Sequence, residues 1–82
     1  MPKLRRLTGA NALAIFAKFD FAPVMRRGSH VKLRRMVNGS KQTLTVPLHR
    51  EIDPGTAKAI YTQALRYVSE QDLRPHFYTS DK

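Results

Sequence analysis

The chain has no cysteine in its 82 residues. That excludes a disulfide framework and a thiolate zinc site, so a small core must be held by packing or by a partner. Acidic residues are scarce: six Asp and Glu stand against fifteen Lys and Arg, for a formal charge of +9. Such an excess raises the local concentration of polyanions and makes nucleic acid the first partner to consider. There is no apolar run long enough to span a bilayer, no lipidation motif and no basic helix with a large apolar face, so no membrane partner is expected. Met1-Pro2-Lys3-Leu4-Arg5-Arg6 has the opening charge of a signal peptide without the apolar core and cleavage site that should follow, and a cytoplasmic location is expected. His30, His49 and His76 are too scattered for a metal-binding spacing, and neither metal nor other cofactor is expected. A chain of this length has room for one compact domain, which buries roughly 60% of its unfolded surface.

Period and punctuation give the element order. Thr8 can cap a helix, and Ala12, Ile15, Phe16 and Phe19 recur at three and four residue spacing, predicting a helix over about 8–19. After Asp20, short runs rich in apolar and β-branched residues are broken by Gly28 and by Asn38-Gly39, a strong two-residue hairpin signal. Three antiparallel strands are predicted near 21–27, 29–36 and 41–48. Asp53-Pro54 supplies an N-cap and a first-turn proline, and Ala57, Ile60, Tyr61, Ala64, Tyr67 and Val68 form the apolar stripe of a second helix. Ser69 starts one further short helical turn, and Tyr78 to Lys82 are expected to fray.

An α-β-β-β-α order implies an α+β fold with two helices on one face of a three-stranded antiparallel sheet, the other face remaining wet. Alternation sends Val31 and Leu33 toward the helices and His30, Lys32 and Arg34 the opposite way. In the third strand Leu44, Val46 and Leu48 face inward and Thr43, Thr45 and Pro47 outward. Pro47, lacking a backbone donor, is easiest to place at a sheet edge or at the end of the ladder.

Gly28-Ser29-His30, entering the strand that carries Lys32 and Arg34, is the segment richest in chemistry. Histidine is the side chain whose ordinary pKa lies nearest neutrality, so an imidazole among cations is placed to move protons on a polyanion. RNA carries its own nucleophile, the 2′-hydroxyl; a protein need only remove its proton, stabilise charge on phosphorus and protonate the departing 5′-oxygen. His30 is the candidate general base, with Lys32 or Arg34 holding the scissile phosphate. His49, Lys32 and water are all candidates for the general acid. Gly28 fits a tight turn needing positive φ, while Ser29 either orients a phosphate or imidazole or satisfies the turn. Arg26, Arg27, Arg35 and Lys41 are candidate phosphate contacts, and Arg5 and Arg6 a candidate unstructured electrostatic arm. Phe16, Phe19, Tyr61 and Tyr67 sit at helical spacing as core anchors; Phe77 and Tyr78 lie outside that pattern and are candidates for a protein contact, and His76 is read as a surface or packing residue.

Arg27-Gly28-Ser29-His30, then Thr45-Val46-Pro47-Leu48-His49, Glu51-Ile52, and Pro54-Gly55-Thr56 with Ile60 and Gln63-Ala64, together resemble the HicA toxins, also called the YcfA-like family. The similarity runs from Leu7 to about Phe77. It implies a fold like that of double-stranded-RNA-binding domains, a metal-independent mRNA endonuclease with His30 catalytic, and a cognate HicB-like antitoxin that covers the active surface. It also implies that operator DNA is reached only through the antitoxin. The chain departs from the family where Met25-Arg26 replaces an Arg-Gln pair, where Asp20 replaces a glycine before the phenylalanine, and in a shorter loop between His49 and Glu51.

The expectation is thus one RNA-binding and endoribonuclease domain over residues 1–82, with the tail after about 77 flexible. Its candidate site comprises His30 as the catalytic residue, with Arg26, Arg27, Gly28, Ser29, Lys32, Arg34 and Lys41 as RNA-binding residues and His49 in support. A non-catalytic double-stranded-RNA-binding domain would share fold and charge but would read duplex shape through helices and loops. A basic adaptor that only binds an acidic protein is the other alternative, since carboxylates on a partner would complement the cationic face.

Overall fold

The computed structural model describes residues 3–79. In chain order it contains α1 (Gly9–Ala17), β1 (Ala22–Arg27), β2 (His30–Val37), β3 (Ser40–Pro47), α2 (Pro54–Ala64) and α3 (Glu70–Phe77). The strands form one antiparallel sheet in the order β1-β2-β3, the α+β arrangement expected, with α3 a full helix where the sequence predicted a single turn. Val31, Leu33, Leu44 and Val46 are buried against α1 and α2 in a core that includes Phe16, Ile60, Leu73 and Phe77. Burying each such side chain stabilises the fold by about 1.5–3 kcal/mol.

Local chemistry explains the element ends. Thr8 Oγ1 accepts from Asn11 N at 3.0 Å while Asn11 Oδ1 accepts from Thr8 N at 3.0 Å, a reciprocal cap on α1. Asp53 caps α2, accepting from Thr56 N at 3.1 Å and from the Thr56 hydroxyl at 2.7 Å. These bonds hold the Asp53 carboxyl below its ordinary pKa, so the cap's contribution is intact near neutrality and is lost as pH falls through that lowered value. At Asn38-Gly39 both residues have positive φ (51° and 80°), a type I′ turn. At Gly28-Ser29 only the glycine does (59°), which fits type II′.

The end of α1 accounts for the departure at Asp20. Phe21 N donates to Phe16 O and Asp20 N to Ala17 O, both at 3.1 Å, while the Phe16 and Phe21 rings meet edge-on at 6.0 Å. This is a Schellman closure, and it requires a left-handed residue where Asp20 has φ 71°. Glycine takes that conformation without a Cβ penalty. Asp20→Gly is expected to stabilise the protein by about 1 kcal/mol, raising Tm by roughly 5 °C in a thermal melt.

Several expectations are corrected. Arg5 and the chain beside it are not a free arm: Arg5 N donates to Phe77 O at 2.7 Å, Arg5 Nε to Pro75 O at 3.2 Å, and Leu4 pairs with Tyr78. Phe77 is a fully buried core residue, packed on Phe16 and Tyr61, and so is not free for a partner. Tyr78 packs edge-on against Tyr61 and Thr79 N donates to Lys3 O, so this stretch is tied down; the rest of the tail expected to fray, residues 80–82, lies outside the described residues. Tyr61 donates to Glu70 Oε2 at 3.1 Å, joining α2 to α3; burial and that acceptor push its phenol above the ordinary value. Tyr67 and Val68 join the core from the turn after α2.

Pro47 ends the edge strand β3, where its missing donor breaks no ladder bond, yet it is buried where alternation pointed it outward. The reason is the close approach of α1. Gly9 N donates to His49 O at 2.9 Å, and a Cβ on Gly9 would lie 2.6 Å from Leu48 Cα and 2.7 Å from Pro47 O. Only glycine fits there.

Candidate nucleic-acid interface

The three strands contain Arg26, Arg27, Lys32, Arg34, Arg35 and Lys41 and not one Asp or Glu. With no carboxylate among them to neutralise these cations, the sheet is the electropositive part of the molecule. Register distributes them. His30 is exposed and pairs with Arg27 on one side and Pro47 on the other; Lys32 pairs with Met25 and Thr45. Cross-strand partners of this kind have Cβ atoms about 4.5–5.5 Å apart on one face. Arg27, His30, Lys32, Met25 and Thr45 accordingly line one hollow of about 200 Å³ on the side of the sheet away from the helices.

Arg34 follows on the same face, opposite Ala22 and Thr43. Its Nε is shut off from solvent without a hydrogen-bond partner, the single buried side-chain donor in that condition among the described residues. Gly28 and Ser29 form the turn that brings Arg27 beside His30, and Ser29 O accepts from Leu48 N, tying this turn to the end of β3.

Other candidates are dispersed. Arg26 pairs with Val31, a core residue, and its Nε donates to Gly28 O at 3.0 Å; it lines a different hollow, on the helix side of β1. Lys41 pairs with Met36, six residues from His30 along β2 and therefore about 20 Å away. His49 lies beyond the end of β3, exposed, and does not line the His30 hollow. Arg35 is structural: Nη1 donates to Phe19 O at 2.9 Å, Nη2 to Tyr67 O at 2.7 Å and Nε to Gln42 Oε1 at 2.6 Å, with the guanidinium 4.7 Å over the Phe21 ring. Its donors are committed to the chain ends that leave α1 and α2. His76 meets the Phe19 ring edge-on at 5.6 Å, a packing role.

Sequence reasoning passed over Met25 and Thr45, and ranked Arg34 ahead of Arg27 as the phosphate holder. The signal for Arg27 was present, since a two-residue turn at Gly28-Ser29 makes Arg27 the cross-strand neighbour of His30. Among the described residues no three His, Asp, Glu or Cys side chains are grouped to hold a metal ion, and no described helix is long and apolar enough to cross a membrane.

A family model described as HicA toxin of bacterial toxin-antitoxin matches residues 9–65, more than two thirds of the chain. The chain belongs to the HicA toxin family. The matched stretch begins at the glycine under which β3 ends, includes all three strands and the His30 hollow, and closes one residue after α2. The N-terminal segment and α3, which pack on each other, lie outside it. Membership in a toxin-antitoxin family implies a cognate antitoxin for this HicA chain. Comparison with curated proteins and with solved structures gives no match.

Proposed function

We propose that this HicA chain is a metal-independent endoribonuclease that cleaves mRNA in the cytoplasm, with His30 as general base, and that a HicB-like antitoxin inhibits it. The observation that carries this reading is an exposed imidazole flanked by Arg27 and Lys32 on a sheet without acidic residues. In the reaction, His30 takes the proton of a 2′-hydroxyl and the 2′-oxygen attacks phosphorus. The bond from phosphorus to the 5′-oxygen breaks, and that oxygen takes a proton, leaving a 2′,3′-cyclic phosphate and a 5′-hydroxyl end. Arg27 and Lys32 neutralise the charge gathering on the phosphoryl oxygens, a stabilisation strongest at the transition state. Arg34 is two residues from Lys32 on the same face and holds a neighbouring phosphate. His49, two residues past the cross-strand partner of His30 though not in the hollow itself, Lys32 and water are the candidates for the leaving-group proton.

The experiment is incubation of the purified chain with a defined single-stranded RNA, with and without a chelator, and mapping of the new ends. Fragments with cyclic phosphate ends that persist in chelator are expected. RNA that is retarded in a gel but intact would instead favour a non-catalytic RNA-binding domain.

A further inference from the structure

The two edges of the sheet are finished differently. At β3, Gln63 Oε1 accepts from Thr45 N at 3.3 Å, Pro47 has no donor to offer and Lys41 adds a charge; these features discourage another strand from pairing there. At β1 all six residues are exposed, although the strand pairs with β2 along its length. The helix layer covers β3 and the inner side of β2 and stops short of β1. Val24 is 49% exposed and Met25 58%, two large apolar side chains left in water side by side. Between β1 and α1 runs a groove of about 430 Å³ lined by Leu13, Pro23, Val24, Met25, Leu48 and Arg26.

The bulge at Pro23–Met25 leaves the other half of β1 regular. Residues flanking a two-residue turn form the hydrogen-bonded pair, so Arg27 turns its backbone groups toward β2 and Arg26 turns its own outward. An exposed apolar groove beside an open backbone donor and acceptor is the surface that extended protein segments dock on.

Building on the reading of this chain as a toxin neutralised by a protein partner, we infer that β1 is where the antitoxin docks, by an extended segment bearing apolar and acidic residues. The segment pairs with the backbone of Arg26 and seats its apolar side chains in the groove between β1 and α1. Its carboxylates meet Arg26, within the groove, and Arg27, at the rim of the His30 hollow. The lining favours a protein segment of this composition over RNA, because it is mostly apolar and its one cation, Arg26, needs only a single carboxylate. Met25 lines both the groove and the His30 hollow, so a partner held on β1 is already at the edge of the candidate active site and blocks RNA from there.

The test uses the full chain and its cognate antitoxin. Val24→Asp puts a carboxylate into the groove and leaves Arg27, His30, Lys32 and Arg34 in place, and is expected to weaken antitoxin affinity at least tenfold by calorimetry while RNA cleavage by the free chain stays within twofold. In the unsubstituted complex, the Arg26 amide is expected to exchange with solvent at least tenfold more slowly than in the free chain. Antitoxin affinity within twofold of the parent for Val24→Asp, or an Arg26 amide whose exchange is unchanged by the partner, overturns the inference. A free chain that sediments as a dimer and becomes monomeric on Val24→Asp, with antitoxin affinity unaltered, assigns the groove to a second copy and likewise overturns it. Failure of both the parent and Val24→Asp to cleave RNA refutes the enzyme, while the affinity and exchange measurements still decide the docking site.

Discussion

Replacing His30 by alanine should slow cleavage of a single-stranded RNA by about 10²–10⁴-fold, the range ordinarily lost with a general base. RNA affinity should hardly change, because Arg27, Lys32 and Arg34 remain to hold phosphates. Stability should stay within about 0.5 kcal/mol of the parent, since His30 is exposed and belongs to no core contact. Single-turnover rates at saturating protein separate these effects, for they report the chemical step without the binding step. A rate only a few fold below the parent under those conditions would remove His30 from the reaction and leave the cationic face as a binding surface.

Arg35→Ala should act in the opposite sense, on folding and not on RNA. Its guanidinium joins the chain leaving α1, through Phe19 O, to the chain leaving α2, through Tyr67 O, and it lies over Phe21. Bonds from a charged donor are worth about 1.5–3 kcal/mol each, and partial exposure together with the cost of desolvating the cation reduces their sum. A net loss of about 3 kcal/mol is expected, a large share of the ~4–12 kcal/mol typical of a domain this size. The corresponding fall in Tm is roughly 15 °C. Arg35→Lys should recover little, since one ammonium cannot reach two carbonyls in the forked geometry of a guanidinium. Thermal melts beside RNA titrations of the folded protein check this; an Arg35→Ala chain that melts with the parent but binds RNA more weakly would return Arg35 to the phosphate contacts.

The contrast between Arg34 and Arg35 shows how far the residues could be read in advance. Alternation correctly placed Val31 and Leu33 toward the helices and His30, Lys32 and Arg34 away from them, and the same rule puts Arg35 with Leu33. Taking Arg35 as a phosphate contact followed its charge and neglected its parity. Phe77 was missed differently: α3 has eight residues, so Leu73 and Phe77 are its only buried pair, too short a pattern to register as a periodic face. β1 carried no expectation of facing: it includes Ala22, Pro23, Val24 and Met25, and the helix layer leaves all six of its residues exposed.

Element order, caps and turns depend on residues within a few positions of one another, and so they were settled before any folding: Thr8 with Asn11, Asp53 with Thr56, Asn38 with Gly39. The parity that exposes His30 is of the same kind. Which cations stand beside that imidazole is a matter of pairing between strands, and the offset of two helices across three strands determines that β1 is left uncovered. These are long-range outcomes of packing, set where Gly9 lets α1 close on the end of β3 and where Arg35 draws both helix ends onto β2. No local run of residues encodes them, because each depends on surfaces that meet only in the folded chain.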